Sequence, residues 1–163
     1  MPYNKGAWGR DFAAGEHLVE HMDARLIDPA GFAQARAELG AGFVRILGYF
    51  REDGTKSVLA IEEAMRNRNA TALVLPAHTL KGESRQFGAE RLGDMAEEIE
   101  TVARRCVEYH ESPEELIEIV VEIRNCFNET LVELEQASSP LVARKPAVFG
   151  RRPEGAAPSF GRM

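Results

Sequence analysis

Ala77-His78-Thr79-Leu80-Lys81-Gly82-Glu83-Ser84-Arg85-Gln86-Phe87-Gly88-Ala89 is the stretch that decides the fold. Leu73, Ala77, Leu80, Ser84 and Phe87 recur at alternating spacings of about four and three residues, the buried stripe of an amphipathic helix. At ~100° per residue, His78, Gly82 and Arg85 point roughly the other way, with Lys81 on the flank. The imidazole is therefore expected in water, with an ammonium about one turn along and a gap at Gly82. A glycine inside a helix costs roughly 1 kcal/mol against alanine, and close approach by another molecule is one reason to keep it. Ser84 points inward as a small packing residue. Arg85 and Gln86 lie near enough to touch a partner, or are plain surface.

Working outward, the pattern stays helical from about Asp28 to Gln136. Asp28-Pro29 is a helix start, a capping side chain followed by proline in the first turn. Phe32, Leu39, Phe43, Ile46 or Leu47, and Phe50 keep a stripe to Arg51, with a bend or break expected near Gly40. Asp53-Gly54 is expected to end that helix, and Thr55 or Ser57 to cap the next, which runs on Val58, Ile61 and Met65. Asn67-Arg68-Asn69 is the turn before the histidine helix, placed from about Ala70 to Phe87, where Pro76 should kink the helix or mark a late regular start.

Gly88 closes it. The next helix carries Leu92, Met95, Ile99, Val102, Cys106 and Tyr109, and its Glu97, Glu98, Glu100 and Arg104 read as a solvated face. Ser112-Pro113-Glu114-Glu115 reads as a capping box opening a last helix on Leu116, Val120, Ile123, Phe127, Leu131 and Leu134. Ile117, Ile119 and Val121 widen its apolar side, so it should be the most buried helix. No strand-like alternation of any length is present, and the expected class is all-α.

Composition sets outer bounds. A chain of 163 residues, 44% hydrophobic and 28% charged, is about one ordinary globular domain. It has no apolar run of about 18 residues and no apolar stretch at its start, so neither a membrane span nor an export signal is expected. With only Cys106 and Cys126, a cytoplasmic location follows as an expectation, and both thiols read as buried small hydrophobes. A net charge of −6 argues against nucleic acid as partner.

Three segments are expected: 1–27 with a short capping helix over about Asp11 to Arg25, a bundle over 28–138, and a tail over 139–163. Pro140, Pro146, Pro153 and Pro158 interrupt that tail, and Arg144, Lys145, Arg151, Arg152 and Arg162 outnumber Glu154 in it. In the first segment His17-Leu18-Val19-Glu20-His21 fits the H-x-x-E-H pattern of one zinc peptidase class. Two histidines four apart can grip zinc, but a site needs a third ligand, for which Glu97 or Glu98 qualify only by distance in sequence. A solvated face is favoured there, and no metal site is expected.

His78-Thr79-Leu80-Lys81-Gly82, then Ser84, then Phe87-Gly88-Ala89, resembles the motif of histidine phosphotransfer (HPt) domains. The likeness is local, about a dozen residues. Glu83 stands where a small residue is common, and Pro76 lies two residues before the histidine. The resemblance implies an antiparallel up-down-up-down four-helix bundle, here with extra N-terminal helix or helices. It implies that His78 accepts a phosphoryl group from a receiver-domain aspartate and relays it to another receiver. The partners implied are response-regulator receiver domains and a sensor or hybrid histidine kinase.

Neutral imidazole is the attacking form of such a histidine. Lys81 could offset charge on the phosphoryl oxygens, and Gly82, Arg85 and Gln86 would meet the partner. No Walker-type loop, nucleotide-binding glycine cluster or acidic triad is present. The expectation is therefore a free-standing carrier, not a kinase, with no cofactor of its own and magnesium supplied by the receiver. A helical adaptor that binds a receiver and blocks it, without being phosphorylated, is the alternative.

Overall fold

The structure, a computed structural model, describes residues 25–139. Among these residues there are five α-helices and no strand: α1 Pro29–Leu39, α2 Phe43–Arg66, α3 Ala70–Gln86, α4 Glu90–Tyr109 and α5 Ile117–Ser138. Short 3-10 turns at Gly40–Gly42 and Glu114–Leu116 precede α2 and α5. The expected helix over Asp11 to Arg25, the His17–His21 stretch and the arginine-containing tail lie outside the described residues.

Helices α2 to α5 form the four-helix bundle, and α1 is the extra N-terminal helix. Cross-helix ion pairs give the directions. Arg51 pairs with Glu135, whereas Glu62, farther along α2, pairs with Arg124, earlier in α5. On the opposite side Arg85 reaches Asp94 while His78, earlier in α3, reaches Glu100, later in α4. Both helix pairs therefore run antiparallel, and for α3 and α4 the connection of a few residues over 87–89 demands it.

The expected stripe of α3 is the inner wall of the bundle. Leu73, Ala77, Leu80 and Ser84 have no exposed surface and Phe87 almost none. They meet Ile61 of α2, Leu92, Met95 and Ile99 of α4, and Ile123 and Leu134 of α5 in one core. Each such aliphatic side chain contributes roughly 1.5–3 kcal/mol on full burial. Aromatic rings fill one end. Phe87 lies 5.5 Å from Phe43 and 5.2 Å from Phe50, and Phe50 lies 5.7 Å from Phe127.

The turn that ends α3 also seats α1. Gly88 adopts φ +72°, and a Cβ there would stand 2.7 Å from the Phe32 nitrogen, so only glycine fits. The Asp28 N–H donates to the Gly88 carbonyl at 2.8 Å, and the Asp28 carboxylate caps α1 by accepting from the Gly31 N–H at 2.7 Å. The start at Asp28-Pro29, the break at Gly40 and the turn at 67–69 all stand as the sequence suggests.

Four expectations are corrected. Asp53-Gly54 does not end a helix: α2 runs unbroken from Phe43 to Arg66. Gly54 is there because α5 presses against it, and a Cβ would lie 2.5 Å from the Phe127 ring. Pro76 marks no late start, since α3 begins at Ala70 and continues through it. Ser112 forms no capping box; α5 is entered through the Glu114–Leu116 turn, which has no side-chain cap. Ile117 and Val121 of α5 are exposed, as is Tyr109 of α4, because a four-helix bundle covers only one side of each outer helix.

Candidate functional site

His78 sits at the middle of α3, one residue past the buried Ala77, and its side chain is 58% exposed. The core stripe of α3 turns it away from the interior, toward the groove where α3 and α4 meet. There the ring is held. His78 Nδ1 lies 3.0 Å from Glu100 Oε1, which leaves Nε2 as the outward-facing ring nitrogen.

Glu100 is the centre of the arrangement. Its side chain is only 7% exposed, and Lys81 Nζ lies 2.7 Å from its other oxygen, Oε2. Arg104, one turn along α4, donates to Oε1 from Nε at 3.0 Å and from a terminal nitrogen at 2.7 Å. Burial alone would raise the Glu100 carboxyl. The Lys81 ammonium, the Arg104 guanidinium and the His78 ring outweigh it and hold the carboxyl at about 2, as expected for a carboxylate with several donors.

The same ladder continues down the α3–α4 seam. Lys81 also approaches Glu97 at 3.8 Å, and Arg85 donates to Glu97 at 2.6 Å and to Asp94 at 3.2 Å. Glu97 is lowered chiefly by its bond to Arg85. Gly93 makes room for this, since a Cβ there would lie 3.0 Å from Arg85 Cγ.

The structure thus brings His78 and Lys81 together on one carboxylate and ties Arg85 to the same ladder. Arg85 makes both of these contacts through one terminal nitrogen, Nη2, and is itself exposed. Gly82 and Gln86 are exposed on the outer face of α3, and a Cβ built at Gly82 meets nothing within 4 Å.

The reading of Glu97, Glu100 and Arg104 as a solvated face is overturned for Glu100, which is buried. One signal in the sequence marks it: Glu100 follows Ala96 by four and precedes Ala103 by three. Gly93, Ala96 and Ala103 are the small residues of a close helix seam, and an acid in that row is aimed at the neighbouring helix.

Other chemistry finds little support. Glu97, one of the two acids considered as a zinc ligand, is occupied by Arg85 and Lys81. Among the described residues no group of three or more His, Cys, Asp or Glu could hold a metal ion. Cys106 and Cys126 are free and buried, and burial pushes the Cys126 thiol up to about 11, far from a reactive thiolate. Among the described residues no helix is long and apolar enough to cross a membrane.

An exposed histidine held on the flank of an antiparallel bundle is the geometry that the motif around His78 implies. A family model described as the Hpt domain matches residues 45–137, more than half of the chain. The chain belongs to the Hpt domain family. The match spans α2 through α5 and omits α1, which sets α1 apart as an addition to the Hpt bundle. No curated protein and no solved structure gives a significant match to the chain. Membership assigns this Hpt domain a phosphotransfer-type role in phosphorelay signalling, as a carrier module and not a kinase. Hpt domains interact with response-regulator and kinase partners in two-component systems.

Proposed function

We propose that His78 is the phosphoacceptor, taking a phosphoryl group from a receiver-domain aspartate and passing it to a second receiver. The observation that carries this reading is a His78 side chain 58% exposed whose Nδ1 is engaged by Glu100 at 3.0 Å, which leaves Nε2 as the free ring nitrogen. A fixed ring presents its lone pair in one direction, which lowers the entropic cost of in-line attack. Lys81, held beside the ring through Glu100, supplies positive charge where the phosphoryl oxygens gather. Gly82, open and without a side chain, gives the partner's loop room to approach, and Gln86 lies on the same outer face.

On this reading the aspartate and the magnesium ion belong to the receiver, and the carrier works in the cytoplasm where receivers and kinases meet. The adaptor alternative needs no free ring nitrogen, so the exposed Nε2 favours the carrier. Incubation with an aspartyl-phosphorylated receiver tests it. Acid-labile label is expected on the wild type and absent from His78→Gln. Equal labelling of that variant would overturn the assignment.

A further inference from the structure

We propose that the outer face of α5 is a docking surface for the chain's own residues 140–152, which run back along the helix on the side of the bundle away from His78.

The face itself comes first. α5 packs against α2 and α4, which places it diagonal to α3 and to His78. Its core side carries Ile119, Ile123, Phe127 and Leu134. On the opposite side Ile117, Val121 and Val132 are exposed, with Asn125 and Asn128 exposed between them. At ~100° per residue these five form one uncharged stripe along the helix. Glu118, Glu122, Glu129 and Glu133 form a second row beside it. Among the described residues none of the four has an ion pair or hydrogen bond, whereas Glu135, farther round the helix, is taken by Arg51. An apolar stripe flanked by unpaired acids calls for a basic occupant with apolar residues of its own. A second copy of the same face does not qualify, because a two-fold contact would set the acid rows against each other.

Residues 140–152 have that chemistry. They carry Arg144, Lys145, Arg151 and Arg152 and no acid, with Val148 and Phe149 between the two basic pairs. The chain also leaves the helix in the right place. Ser139 is extended, at φ −65° and ψ 131°, and Pro140 cannot continue the helix. From Ser139 to Arg144 the chain reaches at most ~17 Å, whereas Glu133 and Glu129 lie only ~9–15 Å back along α5.

The spacings then agree. The centres of the acid pairs 129/133 and 118/122 are ~16 Å apart along the helix axis. The basic pairs are seven residues apart, an extended reach of up to ~23 Å, enough to span the acids with slack. In that register Val148 and Phe149 fall near Val121. Exposed ion pairs are individually weak. Here they act at the effective concentration of a short tether, of the order of millimolar, so four of them with an apolar contact hold the segment in place.

The test uses the full chain with a nitroxide on Ala147→Cys, the native thiols being buried. At low salt the amide NMR signals of Val121, Asn125, Asn128 and Val132 are expected to be lost. They should return at about 1 M salt, where the screening length falls to roughly 3 Å. They should also return when Glu122→Lys, Glu129→Lys and Glu133→Lys reverse the row. Reversing Arg144, Lys145, Arg151 and Arg152 to Glu in that same protein should abolish the signals again. Signals kept at low salt, lost evenly over the bundle, or lost at the α3–α4 seam overturn the proposal. So does a loss that survives both salt and charge reversal. A loss seen when only unlabelled copies carry the nitroxide assigns the face to a second copy and overturns it too. If the reversed row does not fold, reversal of the four basic residues alone decides, and signals still lost in that variant overturn the proposal.

Discussion

Lys81 Nζ stands 2.7 Å from Glu100 Oε2, on the far side of the carboxylate from the oxygen that holds His78. The lysine is therefore part of the mounting of the histidine as well as a charge beside it. Lys81→Met leaves a buried carboxylate with one cation fewer. It is expected to lower stability by about 1–3 kcal/mol and to reduce labelling of His78. Lys81→Arg should restore more of the stability than of the transfer, because a planar fork does not reproduce a point charge. Urea denaturation and receiver-to-protein transfer assays read the two effects separately.

Acid should loosen the bundle through the same residue. The Glu100 carboxyl, ordinarily 4.5, is held at about 2 in the folded chain. A depressed carboxyl contributes stability that is full above its unfolded value and is lost as pH falls through the folded one. The window is therefore between about 4.5 and about 2, and the contribution is on the order of 3 kcal/mol. Glu100→Gln is expected to flatten the fall of stability across that window. An equally steep fall in the variant would show that other carboxylates carry it.

Gly54→Ala should destabilise although it sits inside a helix. The added Cβ would meet the Phe127 ring at 2.5 Å, and that ring is buried against Phe50. Overpacking of this kind costs typically 1–3 kcal/mol, more than the helix gains from alanine. The midpoint of thermal unfolding is expected to drop.

Gly82→Ala should do the opposite for stability. Nothing lies within 4 Å of the added Cβ, and the helix gains roughly 0.8–1 kcal/mol. Transfer from a receiver is expected to fall all the same, because the methyl occupies the face that the partner must approach. A variant both more stable and equally fast would remove Gly82 from the docking surface.

Much of this Hpt domain is legible from spacing. Leu73, Ala77, Leu80, Ser84 and Phe87 lie inside as their period demands, and that places His78 outside without any knowledge of the neighbouring helices. Asp28 and Gly88 also act as their residue types suggest. Local rules failed where a residue answers to another helix. Gly54 reads as a stop and is a contact for Phe127. Ser112 reads as a cap, yet α5 starts from a turn without one.

The sequence by itself determined the all-helical class, the stripe that forms the core and the outward position of His78, because periodicity acts over neighbours in the chain. Only the tertiary structure decided that Glu100, 22 residues away, closes on the ring, and that Lys81 and Arg104 share that carboxylate. The register between α3 and α4 is set by packing across the seam at Gly93, Ala96 and Ala103. A charge becomes a structural partner only when such packing takes it out of water.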